Sequence, residues 1–267
     1  MSTKKKKPIT KDNFETLLKD LGKEYRRLTK NKMPAEIILV GGGAIMARYG
    51  FRELTYDVDA IIKASDAMKD AALFIADQHD IPSNWLNSNF ERTESYSEVL
   101  REVSKYYRTF SNIVNVRTIE DEYLIAMKLM SGREYKYDLS DIVGILWEHD
   151  KIGKPLSREV VEAAFYKLYG NNAKMKKSSK ELLDAVYTSN NYKELYDETL
   201  ANEKQMKTAL LDFESNHLKA LNEKNIDVVI AQIKEKLVKK QEVNREQAQN
   251  KQNQDGQRKK TKNRDSR

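Results

Sequence analysis

The chain has 267 residues, a formal net charge of +7, 33% charged residues, 39% hydrophobic residues and no cysteine. The absence of cysteine excludes a disulfide scaffold and a thiolate metal centre, and fits a cytoplasmic protein. No apolar run is long enough to span a bilayer, so no membrane role is expected. After Lys4–Lys7 the sequence runs Pro8-Ile9-Thr10-Lys11, where a secretory signal would need an apolar core. The basic surplus fits a nucleic-acid partner. Much of it lies at the two ends, in Lys4–Lys7 and in the run from Arg258 to Arg264, which read equally as solubilising tails or as phosphate-contacting arms.

In chain order, Asn13 to Thr29 carries Phe14, Leu17, Leu18, Leu21 and Tyr25 at helical spacing, and Asn31-Lys32-Met33-Pro34 breaks it. Ala35 to Val40 is short and apolar apart from Glu36, as in a strand buried on both faces. Val58 to Ile62 is a second strand. Asp66 to His79 is a helix with Asp66 as its cap. Residues 80–100 are loop-rich with one or two short helices, and 107–116 holds one or two strands. Glu120 to Met130 is a helix ended by Ser131-Gly132, and Asp138 to Glu148 is another. By spacing alone, Asp138 and Asp141 suit helix capping, since acids are favoured at a helix start. Ser157 to Tyr169 is a helix that stops at Gly170, and Ser178-x-x-Glu181 fits a capping box before the next. Helical patterning continues from Asn191, with a break at Asn222 to Asn225 and a further helix over 226–238. From Lys239 onward apolar residues almost vanish, as in a disordered tail. The expected organisation is a basic, disordered N-terminus (1–11), a core domain (12–150), a helical region (151–240) and a disordered basic tail (241–267).

Within that core, Gly41-Gly42-Gly43 follows the first strand, and Asp57 and Asp59 alternate at the second. Glycine lets the backbone approach a ligand closely, and a glycine turn entering a helix points free N–H groups at phosphate oxygens. Carboxylates at alternate strand positions project to one face and repel each other unless a cation or proton lies between them. Hard Mg²⁺ suits such a pair, with its remaining ligands from water or substrate phosphates. The three histidines, His79, His149 and His217, are far apart with no ligand-like spacing, which argues against a zinc site or a Ser-His-Asp triad.

The Gly-Gly turn followed by Asp-x-Asp resembles the signature of polymerase-β-like minimal nucleotidyltransferases. The closer resemblance is to AbiEii-like nucleotidyltransferases and related bacterial nucleotidyltransferase-like domains of unknown function. Gly42-Gly43-Ala44 and Arg52-Glu53-Leu54-Thr55-Tyr56-Asp57-Val58-Asp59 match the first block, with one extra residue between Arg and Thr. Leu124-Ile125-Ala126-Met127-Lys128-Leu129, Arg133 and Asp138-Leu139-Ser140-Asp141-Ile142 match the second. The resemblance covers roughly residues 12–150. It implies an α/β (α+β) fold, with a nucleotidyltransferase core sheet flanked by helices, a helical C-terminal region and a disordered basic tail.

The function it implies is metal-dependent transfer of a nucleotide from an NTP to an acceptor hydroxyl. Some relatives are toxins of toxin–antitoxin or phage-defence systems and act on tRNA, so tRNA or other RNA and a cognate antitoxin are the implied partners. On this reading Gly42 and Gly43 hold the phosphates, Asp57 and Asp59 ligate Mg²⁺ or Mn²⁺, and Lys128 faces the phosphates. Arg133, Arg48 and Arg52 are further nucleotide-binding candidates, and Asp141 is a catalytic candidate. One departure stands out. The expected third strand, Ser111 to Val116, offers Asn112 and Asn115 where many polymerase-β-like enzymes place a third carboxylate. Either Asp138 or Asp141 fills that role from the next helix, or the site is weakened. The alternatives are a nucleotide- or RNA-binding module with a weakened site, and an accessory protein of a phage or mobile element.

Overall fold

The computed structural model describes residues 6–217, 220–222 and 225–236. The expected basic tail and Lys4 and Lys5 lie outside them. Contacts divide the chain into two units, Met1–Glu203 and Lys204–Arg267.

The first unit is built on a five-stranded mixed sheet in the order β5-β4-β2-β7-β6. Its central strand β2 (Ala35–Leu39) is the apolar run expected to be covered on both sides, and Ile37, Ile38 and Leu39 are buried. It pairs antiparallel with β4 (Val58–Lys63) and parallel with β7 (Val114–Ile119). Edge strand β6 (Ser104–Phe110) runs antiparallel to β7, with a register shift between Tyr106 and Arg108. The other edge is the two-residue β5 (Leu86–Asn87), parallel to β4. A separate ribbon joins β1 (Ile9–Thr10) to β3 (Leu54–Thr55).

Helix α1 (Lys11–Leu28) buries the predicted face of Phe14, Leu17, Leu18, Leu21 and Tyr25. A capping box formed by Thr10 and Asn13 starts it. Gly22 on this helix is needed for close approach, because a Cβ there would meet the Phe110 Cβ at 2.9 Å. The eight-residue α2 (Gly41–Arg48) leaves β2 directly and packs on β4. Helix α3 (Ala67–His79) packs against α1. Asp66 precedes α3 but makes no side-chain cap, contrary to expectation. Trp85 is fully buried behind β4: its indole Nε1 donates to the Ala72 carbonyl at 3.0 Å, and its own carbonyl accepts the Val58 N–H at 2.5 Å. Single 3-10 turns occupy Asn89–Arg92 and Glu98–Arg101.

Helix α4 (Asp121–Ser131) is buried along most of its length, between α5 (Asp138–Lys151) and α6 (Arg158–Tyr169). It ends as expected at Gly132, in the left-handed conformation with φ 49°. Helix α6 starts on the predicted Ser157 cap and stops at Gly170. Helix α7 (Lys177–Thr188) starts one residue before Ser178, so the capping box predicted there does not form. The Ser178 hydroxyl instead donates to the Gly132 carbonyl, and the Ser179 hydroxyl to the Leu129 carbonyl, tying α7 to the end of α4. Helix α8 (Tyr192–Asn216) begins in the first unit. In the second unit residues 226–236 are helical, and Met206, Leu210, Val229 and Ile230 are buried. No helix among the described residues is long and apolar enough to cross a membrane.

Candidate active site

The C-terminal end of β2 and the start of β4 bring the glycine turn beside the paired acids. Gly41 takes φ +51°, a conformation that favours glycine, and the site where its Cβ would stand is 4.0 Å from Asp59 Oδ2. Val40 contributes no side-chain cap to α2, so the first-turn N–H groups have neither a capping side chain nor an intrahelical acceptor. Gly43 lies so close to β4 that a Cβ would meet Val58 Cγ1 at 2.8 Å. At Gly42 a Cβ would meet the Arg52 guanidinium at 2.7 Å. Arg52 thus lies across the glycine turn, and its buried Nε has no hydrogen-bond partner.

Asp57 is exposed and sits one residue before β4, where the Thr55 hydroxyl donates to its carbonyl at 2.9 Å and reaches its Oδ1 at 3.2 Å. Asp59 is half-buried within β4. Burial, followed by repulsion from Asp57, raises the pKa of Asp59, while Lys128, Arg133 and Lys136 pull it the other way. A carboxylate destabilised by its twin is what a cation between them would relieve. With the glycine cradle alongside, the donor set fits a hard divalent ion that completes its shell from water and phosphate oxygens. Among the described residues no group of three or more His, Asp or Glu is arranged to hold a metal.

Under this edge, Lys128, Asp138 and Asp141 form a buried ionic lattice. Lys128 Nζ is 2.8 Å from Asp138 Oδ1 and 2.8 Å from Asp141 Oδ2. Arg133 Nε donates to Asp138 Oδ2 at 2.7 Å, and Arg52 Nη1 pairs with Asp141. Burial opposes the charge of Lys128, but Asp138 and Asp141 outweigh it and hold the ammonium above its usual pKa. Burial likewise opposes charge on Asp138, but Lys128 and Arg133 outweigh it and hold that carboxyl well below the usual carboxylate range. Asp138 and Asp141 are therefore not helix caps, contrary to the reading from spacing; both carboxylates are spent on cations.

Most of the residues singled out in the sequence meet here: Gly42, Gly43, Arg52, Asp57 and Asp59 along the edge, Lys128, Arg133 and Asp141 beneath it. Arg48 does not join them. It pairs with Asp121, which also takes His149 Nε2 at 3.0 Å, so Arg48 joins α2 to the start of α4 and the end of α5. His79 pairs with Asp20 at 3.2 Å.

The expected third strand begins later than predicted. Ser111 and Asn112 adopt φ 51° and 56° in the turn before β7, and Asn115 lies on the strand with its Oδ1 buried and unpartnered. Ile61 and Arg117 both pair with Ile38, so Asp59 shares its sheet face with Asn115, Arg117 and Ile119. That face of β7 carries no carboxylate, and Arg117 is bound to Ser104.

Two residues absent from the sequence reading also act on this region. Glu203 of α8 accepts the Leu139 N–H at 2.8 Å and the Ser140 hydroxyl, so it caps α5 from a distant helix. Burial pushes its pKa up to about 8, although its bonds to Ser140 and Leu139 favour the charged form. Lys136, in the loop between α4 and α5, lies in electrostatic range of Asp57 and Asp59. Glu203 had no sequence signal, since one acid on an amphipathic helix looks like any other. Lys136 had a weak one, its position between Arg133 and Asp138.

A family model described as a nucleotidyltransferase of unknown function (DUF6036) matches residues 16–199. The chain belongs to this family. The DUF6036 match runs from α1 into α8, so it takes in the glycine turn, both acids and the ionic lattice. A crystal structure of an antigenic nucleotidyltransferase-like protein from Paracoccidioides brasiliensis is similar at 14% identity, covering 67% of this chain and 95% of that one, with a TM-score of 0.34. No curated protein matches the chain. The expected fold class holds: a mixed sheet flanked by helices, with a helical C-terminal part, in a nucleotidyltransferase-like superfamily.

Proposed function

We propose that this DUF6036 protein is a metal-dependent nucleotidyltransferase that moves a nucleoside monophosphate from an NTP to an acceptor hydroxyl. The observation that carries the reading is the juxtaposition of the Gly41–Gly43 turn with the mutually repelling Asp57 and Asp59. Asp57 and Asp59 hold Mg²⁺ or Mn²⁺. Such an ion would offset charge on the α-phosphate and on the departing pyrophosphate. The Gly42 and Gly43 N–H groups and the unpartnered Arg52 Nε receive phosphate oxygens. Lys128, Arg133 and Asp141 keep the floor rigid, so the acids and the cradle stay in register when the nucleotide arrives. RNA, and tRNA in particular, is the acceptor class favoured by the basic charge surplus and the AbiEii-like resemblance. A toxin–antitoxin or phage-defence setting follows from that resemblance alone.

The test is transfer of label from each α-labelled NTP to total bacterial RNA with Mg²⁺ or Mn²⁺. The Asp57→Asn/Asp59→Asn double variant is the control. Label on RNA that the double variant does not produce is the expected result. No transfer from any nucleotide overturns the enzyme reading. A second reading, a nucleotide-binding module without turnover, is favoured by one observation: the Asp59 face of β7 has no carboxylate, and Asp138 and Asp141 are already ion-paired. Metal-dependent NTP binding without transfer would select it.

A further inference from the structure

Four cations line this region, Lys128, Arg133 and Lys136 acting on Asp59 and Arg52 lying against Gly42, and they differ in what their charge is already spent on. Lys128 donates to Asp138 Oδ1 and ion-pairs with Asp141 Oδ2, both at 2.8 Å. Arg133 is bound to Asp138 through Nε and Nη2, and Arg52 to Asp141 through Nη1. Moving any of these toward a ligand would take a cation away from a buried carboxylate. Lys136 alone of the four makes no side-chain hydrogen bond or ion pair among the described residues.

Its backbone is nevertheless fixed. The Lys136 N–H donates to the Arg133 carbonyl at 3.3 Å, the Arg133 N–H donates to Asp138 Oδ2 at 3.3 Å, and the next residue, Tyr137, has the Arg52 guanidinium 5.2 Å from its ring centre. An uncommitted ammonium therefore stands on an anchored turn in electrostatic range of both acids. Lys136 is exposed as a residue, yet its ammonium is partly desolvated. Burial and then Arg133 draw its pKa down against the pull of Asp138, Asp57 and Asp59.

We propose that Lys136 is the lysine that binds the triphosphate of the incoming nucleotide, beside the Gly42 and Gly43 N–H groups and Arg52 Nε, the Lys128–Arg133–Arg52 lattice being the fixed floor beneath it. This rests on the nucleotidyltransferase reading above and names the group that selects a polyphosphate over a monophosphate. A lysine suits the task because it presents a compact charge on a stem long enough to follow the phosphates from binding to release.

The experiment is calorimetric titration of the full chain with inorganic tripolyphosphate and, separately, inorganic phosphate, both with Mg²⁺. The proteins compared are the wild type, Lys136→Met and Lys136→Arg. The expected result is tripolyphosphate binding to the wild type, about tenfold or more weaker binding to Lys136→Met, and recovery in Lys136→Arg. Inorganic phosphate binding and the melting temperature should be the same in all three. Equal tripolyphosphate affinity in wild type and Lys136→Met overturns the assignment of Lys136 while leaving the nucleotidyltransferase reading intact. Equal loss of both anions also overturns it, because Lys136 would then not discriminate chain length. A wild type that binds no tripolyphosphate, and no NTP in a parallel titration, overturns both.

Discussion

Lys128 Nζ stands 2.8 Å from Asp138 Oδ1 and 2.8 Å from Asp141 Oδ2, so one buried ammonium joins both acids of the first turn of α5 to the last turn of α4. A lysine that in the sequence reads as a phosphate contact is, in the fold, the keystone of an ionic lattice. Lys128→Met would leave Asp138 and Asp141 short of a partner in a site from which water is excluded. Breaking a buried pair in this way costs about 3–5 kcal/mol. Urea denaturation is the check, and a loss under about 1 kcal/mol would show that the lattice is not holding the helices together.

Asp57→Asn and Asp59→Asn should behave in the opposite way. Each removes one of two carboxylates that repel each other. At position 57 asparagine keeps an oxygen able to accept from the Thr55 hydroxyl. The melting temperature should stay level or rise slightly, while nucleotide transfer falls by orders of magnitude. A variant that melts as the wild type does and transfers at the wild-type rate would remove that acid from the metal site.

The glycines separate packing from binding. Gly43→Ala drives a methyl group against Val58 Cγ1, a β-branched core residue with no room to turn, and should cost about 1–3 kcal/mol. Gly42→Ala meets the Arg52 guanidinium, which has a mobile side chain but is pinned by Asp141. Its cost should appear chiefly as weaker NTP binding. Comparing melting curves with NTP titrations for the two variants tests this ordering.

Glu203 sets a pH dependence. Its pKa is about 8 in the fold and returns to the ordinary glutamate value on unfolding, so between the two the folded chain binds the extra proton. Stability from this group is therefore complete below the ordinary glutamate value and declines as pH rises toward about 8, by a few kcal/mol at most. Glu203→Gln keeps an acceptor for the Leu139 N–H and cannot ionise. Thermal melts at pH 6 and pH 9 should show a larger drop for the wild type than for the variant. Equal drops would mean that Glu203 is charged throughout.

What could be read from the sequence was local. The face of α1, the doubly buried β2, the glycine turn and the alternating acids are each set by residues within one element or two adjacent ones, where periodicity carries the information. What could not be read was pairing across the fold. Arg48 and Arg52 are four residues apart and look alike on paper, yet the end of α2 turns one to Asp121 and the other to Asp141. Asp138 carries the spacing of a cap but meets Lys128 and Arg133 because α4 and α5 fold back on each other. Ser178 fits a capping box, yet its hydroxyl goes to the carbonyl of Gly132 on another helix. In each case a tertiary partner offers a charge or carbonyl that local spacing cannot reveal.

The burial of Trp85 has a practical consequence. It is one of two tryptophans in the chain; the other, Trp147, is partly exposed and has Lys151 Nζ 3.6 Å from its ring centre. Excited together, they should emit as one dry indole and one wetter indole beside a positive charge. With Trp147 replaced by Phe, all remaining tryptophan light would come from the strand edge that carries Asp59, giving the protein a built-in optical gauge of events at its own acids.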